Sequence, residues 1–164
     1  MWRPYLKVIK KKVSHALHIL DRFHIVSSLN KALDEVRAKE ARALAERGFT
    51  DLKGSRWCFL KRPENLTEKQ GTTLKDLLRA NLKTVRAYLL KEEFNFFWEY
   101  ASPTWAEKFL DAWCTKVRRS RIEPMIKMAK RIQCHKPLIL NWFRAKNSSP
   151  QESLRDLTIK QKSH

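Results

Sequence analysis

A chain of 164 residues, 43% of them hydrophobic, can bury one core, and that length leaves no room for two full domains. Its 3 glycines and 6 prolines exclude a turn-rich sandwich or barrel and predict a mainly α fold. The 35 Lys and Arg against 17 Asp and Glu leave a formal charge of +18, which calls for a polyanionic partner, DNA or RNA first and an anionic membrane surface second.

The membrane reading is the weaker one. No stretch reaches the roughly 18 apolar residues of a spanning helix, and no basic helix carries an unbroken apolar face. The opening MWRPYLKVIKKK lacks a signal peptide's apolar core and cleavage site, so a cytoplasmic chain is expected. Cys58, Cys114 and Cys134 form no C-x-x-C pair, and His135 beside Cys134 does not complete a zinc-ligand spacing. All three are read as reduced thiols.

In chain order, Tyr5, Leu6, Ile9 and Val13 recur at helical spacing with Lys7, Lys10, Lys11 and Lys12 on the other face, which predicts a short basic helix. The compact apolar run at residues 17–20 suits a strand buried in a parallel sheet, with Asp21 at its carboxyl end. Val26, Leu29, Leu33, Val36 and Leu44 then form one stripe of a long helix that stops at Gly48. Between residues 49 and 65 the pattern fails, and Trp57-Cys58-Phe59-Leu60 reads as a short extended piece.

Thr67 and Gln70 make a capping box, after which Leu74, Leu77, Leu78, Leu82, Val85 and Leu89 keep a single helical face, continued by Phe94, Phe97, Trp98 and Tyr100. Ser102 and Pro103 open a helix expected to bury Trp105, Phe109, Leu110 and Trp113. A further helix carries Ile122, Met125, Ile126, Ala129 and Ile132, with Pro124 tolerated in its first turn. The periodic region ends over residues 138–143, and residues 147–164, poor in apolar side chains, read as a frayed tail.

Asp21 admits two readings. It is a helix N-cap, or it is one ligand of a divalent metal at the end of a buried strand, where two-metal phosphoryl transfer needs several converging oxygens. His24, one turn on, faces the same site or packs structurally. The aromatics Phe94, Phe97, Trp98, Trp105 and Trp113 stack bases or, as their helical spacing favours, fill a core. Lys10, Lys11 and Lys12, with Arg118, Arg119, Arg121, Lys127, Lys130 and Arg131, are either a solvated charge face or phosphate contacts.

The segments MWRPYLKVI, LDRFHIVSSLNKALDEVR, LKGSRWCFLKRPENLT and HKPLILNWFRAK together resemble the DDE transposases of bacterial insertion sequences, ISL-three type, from Met1 to about Lys146. The resemblance implies a partial RNase H-like catalytic core over residues 1–47, interrupted by a helical insertion over 48–146, and a reaction that cuts and rejoins DNA with two Mg²⁺ ions. It also implies that Asp21 is the second catalytic, metal-binding aspartate. The family's first aspartate precedes the segment matching MWRPYL, and its glutamate follows the segment matching NWFRAKNSS; Glu152 does not stand in that context.

Shifting the reading frame of the tail yields Thr-Ala-Gly-Val-Val-Glu-Gly-Phe-Asp-Asn-Lys-Ala-Lys-Val, which resembles the family's glutamate motif. Residues 147–164 are therefore expected to be frameshifted, with the glutamate codon straddling Leu154 and Arg155. The expectation is a transposase fragment that is catalytically dead, binds no Mg²⁺, and carries a poorly supported N-terminal strand prone to aggregation. The alternative is a non-catalytic basic DNA-binding or regulatory fragment whose partners are DNA and intact transposase subunits. A plain helical RNA-binding protein is the third reading.

Overall fold

The computed structural model describes residues 20–148. Those residues form seven α-helices: α1 (Arg22–Glu46), α2 (Arg56–Leu60), α3 (Glu68–Leu78), α4 (Lys83–Asn95), α5 (Pro103–Arg119), α6 (Glu123–Cys134) and α7 (Lys136–Ser148). Short 3-10 turns at Pro63–Asn65 and Phe96–Glu99 join the set, and no strand occurs among the described residues. The mainly α expectation therefore holds. The basic helix at the start of the chain, residues 17–19 of the expected strand, and the tail from residue 149 lie outside the described residues. Leu20, the last position of that strand, is in no strand; it is buried, and its N–H donates to the Leu138 carbonyl of α7 at 3.2 Å. Asn147 and Ser148, read as the start of the tail, belong to α7.

Helix α1 is the central element. It packs against α4 and α6, while α5 lies against α6 and α7. Ile25, Leu29, Ala32, Leu33 and Val36 face inward at spacings of three and four, which is the geometry of one helical stripe. One continuous core joins that stripe to Phe59, Phe94, Phe97, Leu110, Trp113, Met125, Ile132 and Phe143. Each such large side chain removed from water contributes roughly 1.5–3 kcal/mol before conformational entropy is charged against it. The aromatic centre is densely edge-packed: Phe94 meets Trp113 at a ring separation of 4.8 Å, and Phe97 meets Phe143 at 5.1 Å. Trp113, fully buried, donates its Nε1 proton to the Leu90 carbonyl at 2.8 Å.

The helix ends follow local chemistry where the chemistry is local. Gly48, at φ +84°, closes α1: its N–H donates to the Ala45 carbonyl at 3.0 Å and that of Phe49 to the Leu44 carbonyl at 2.9 Å, the two bonds of a Schellman motif. Thr67 and Gln70 form the expected reciprocal capping box at the start of α3. Pro103 and Pro124 sit in the first turns of α5 and α6, where a missing N–H costs nothing. Ser102 occupies the N-cap position of α5, but its side chain makes no capping bond.

Three further expectations change. Trp57-Cys58-Phe59-Leu60 is helix α2 rather than an extended piece, because one helical turn lets Cys58 and Phe59 both point into the core. The single face expected from Leu74 to Leu89 is broken between Leu78 and Lys83 into α3 and α4, leaving Leu78 and Leu89 exposed. Trp105 is 59% exposed instead of buried, with the Lys108 ammonium 4.5 Å from its ring centroid.

Candidate nucleic-acid interface and the Asp21 carboxylate

Asp21 is the N-cap of α1. Its backbone is extended, at φ −60° and ψ 132°, and its Oδ1 accepts from the Phe23 N–H at 2.9 Å. The carboxylate thus meets the unpaired donors and the positive end of a 25-residue helix. His24 is exposed on the first turn. Among the described residues no group of three His, Cys, Asp or Glu side chains comes together, at Asp21 or elsewhere. A divalent ion takes about six oxygens, and a pair of them needs several shared carboxylates. The described donor set around Asp21 does not fit that requirement, so no chemical step through a metal follows from it.

Arg22, next to Asp21, lays its guanidinium over the Trp98 ring at 5.5 Å. Partial burial lowers its pKa, and the Arg62 charge acts in the same direction against the opposing pull of Glu99. This stack fixes the start of α1 to the turn after α4. Trp98 belongs to the aromatic set read from the sequence; with Phe94, Phe97 and Trp113 it is buried, so packing and not base stacking accounts for those four.

The basic set divides by location. Lys10, Lys11 and Lys12 lie outside the described residues. Arg118 and Arg119 stand in the last turn of α5, Arg121 in the connection, and Lys127, Lys130 and Arg131 along α6. All six are exposed, and the two helices that carry five of them, α5 and α6, pack on each other. Lys127 reaches Glu123 at 4.0 Å. It also adds to the field at Glu35 of α1, whose carboxyl is held below its ordinary range first by the hydrogen bond from Lys39 and then by the charges of Lys39, Lys127 and Lys31, against desolvation.

A second basic surface was read from the sequence only at Arg121. An open groove of about 530 Å³ runs between α1 and the first turns of α4 and α6, and Lys39, Arg47, Lys83 and Arg121 stand along it. Its cations come from positions 39 to 121, too far apart in sequence to register as a cluster.

A family of transposases matches residues 1–162, nearly the whole sequence. The chain belongs to the DDE transposases of the ISL-three type. The transposase chain is 30% identical over 118 residues to the transposase for insertion sequence element IS1001 of Bordetella parapertussis, a match that covers 70% of this chain and 29% of the relative. It is also 30% identical over 155 residues to the transposase for insertion sequence element IS1557 of Mycobacterium tuberculosis, covering 80% of this chain and 35% of that relative. The transposase chain thus matches about a third of the length of these curated relatives. No solved structure matches it. Among its described residues no helix is long and apolar enough to cross a membrane.

Proposed function

We propose that this transposase chain binds DNA through its basic surface and, by itself, does not cleave it. In this reading residues 1–47 belong to an RNase H-like catalytic core and residues 48–146 to a helical insertion docked on it. Asp21 is one metal carboxylate of a centre that breaks and rejoins DNA strands. The observation that carries the reading is the setting of Asp21, which stands in an Asp-Arg-Phe-His block at the head of the central helix and joins no group of three or more metal-ligating side chains among the described residues. When bound, Mg²⁺ would polarise the phosphodiester and activate the attacking oxygen. A lone carboxylate supplies too few oxygens to hold two such ions.

Nicking of supercoiled plasmid by the purified chain, with magnesium supplied, tests the claim. The expected result is retention of duplex DNA that weakens as salt rises, without nicking. Nicking that disappears in Asp21→Asn overturns the proposed inactivity, and failure to retain DNA at low salt overturns the proposed binding.

A second reading is favoured by the exposure of Arg118, Arg119, Arg121, Lys127, Lys130 and Arg131. As a non-catalytic fragment, the chain would compete with intact transposase for DNA ends or for subunits. Added to an intact transposase of this family, it should then lower strand transfer in proportion to its concentration.

A further inference from the structure

Arg121 has a left-handed backbone, at φ +58°, the only non-glycine residue with positive φ among the described residues. It occupies the position after the α5 C-cap Ser120, where glycine is favoured because a side chain there crowds the neighbouring carbonyl. The turn is pinned on both sides. The Ser120 hydroxyl donates to the Val117 carbonyl at 2.6 Å and accepts from the Ile122 N–H at 3.2 Å, and Ile122 is buried. A strained position that a glycine would relieve is instead filled by a long cation, and its side chain lines the groove between α1, α4 and α6.

The electrostatics of that groove favour an anion. Lys39, Arg47, Lys83 and Arg121 line it, and all four are exposed. Lys39 is paired with Glu35 at 2.8 Å and the Arg47 guanidinium lies 5.8 Å from the Phe49 ring centroid, while Lys83 and Arg121 have no ion-pair partner among the described residues. Two carboxylates share the groove and both are engaged. Glu40 accepts from the Lys83 and Thr84 N–H groups and the Thr84 hydroxyl, and Glu123 stands 4.0 Å from the Lys127 ammonium.

We infer that this groove is a phosphate-backbone site for duplex DNA, in which Lys83 and Arg121 contact phosphates and Lys39 and Arg47 extend the positive track along α1. The inference rests on the proposed DNA binding and assigns it a place. Phosphate contacts position a protein on the duplex without reading sequence, so the site should be indifferent to base composition.

The test measures the affinity of the full chain for a fluorescent duplex across a salt series, together with thermal unfolding. Arg121→Gly should leave the melting temperature unchanged or raised, since the backbone strain is relieved. It should bind DNA severalfold more weakly, with the slope of log affinity against log salt reduced by about 1. Lys83→Ala keeps the backbone donors that Glu40 needs and should reduce the slope by the same amount. Lys75→Ala, on α3 outside the groove, should change neither. Wild-type slopes in both Arg121→Gly and Lys83→Ala overturn the groove while leaving the DNA-binding reading intact, as does an equal loss in Lys75→Ala. A wild-type chain that binds no DNA overturns that reading and the groove with it.

Discussion

The carboxylate of Glu40, in the second half of α1, accepts from both the backbone N–H and the hydroxyl of Thr84 at 2.7 Å, while its other oxygen takes the Lys83 N–H at 2.8 Å. A side chain 44 residues away thus performs the capping that Leu82, the local N-cap residue, has no group to perform. Glu40→Ala should lower stability by roughly 1–2 kcal/mol, because it strands two N–H groups and a buried hydroxyl. Denaturant unfolding followed by circular dichroism gives the measure. In a double-mutant cycle, Thr84→Val should lose less in the Glu40→Ala background than alone, and strict additivity would refute the coupling.

Two glycines should respond in opposite directions to the same substitution. Gly48 has φ +84° and Gly71 lies inside α3, and a Cβ at either position meets nothing within 4 Å. Gly48→Ala should cost roughly 1 kcal/mol from backbone strain alone. Gly71→Ala should add roughly 0.5–1 kcal/mol by removing helix-opposing entropy. Melting temperatures of the two variants should fall on either side of the wild type.

Asp21 caps α1 whatever else it does in the family's chemistry. Asp21→Asn retains an oxygen for the Phe23 N–H and should unfold within a few tenths of a kcal/mol of wild type, whereas Asp21→Ala should lose roughly 1 kcal/mol. Equal destabilisation of the two variants in a denaturant titration would remove the capping role.

Cysteine reactivity should separate by burial. Cys134 is exposed, while Cys58 and Cys114 are buried. Burial, reinforced by Asp111, pushes the Cys114 thiol up to about 11, against weaker opposing fields from Arg118 and Lys136. A chromogenic disulfide reagent near neutral pH should therefore titrate one thiol quickly in the native chain and three in denaturant. The sign for stability follows from a folded pKa above the unfolded one. The contribution of Cys114 is complete below the ordinary thiol value of 9.0, declines as pH climbs from there, and is spent by about 11. The wild-type melting temperature should fall across that window, and Cys114→Ala should flatten the part of the fall that this thiol causes.

Much of the helical architecture was legible because its signals are short-range. The stripe through Leu29, Leu33 and Val36, the stop at Gly48, the capping box at Thr67 and the prolines at 103 and 124 all act within a turn or two of themselves, and each has its expected place. The Asp-Arg-Phe-His block likewise pointed to the transposase family that residues 1–162 match. Failures came where one residue's environment depends on a distant partner. Trp105 and Leu89 fit an apolar stripe by spacing, yet no helix among the described residues covers them.

Sequence alone determined the helical class, the family and the large positive charge, since composition and local hydrogen-bonding chemistry suffice for those. Tertiary structure decided where the long helical pattern breaks, because the cap that starts α4 comes from Glu40 on α1. It also decided which cations share a groove. Coulomb fields depend on distance in space, and folding brings Lys39, Lys83 and Arg121 together from positions that the chain itself keeps far apart.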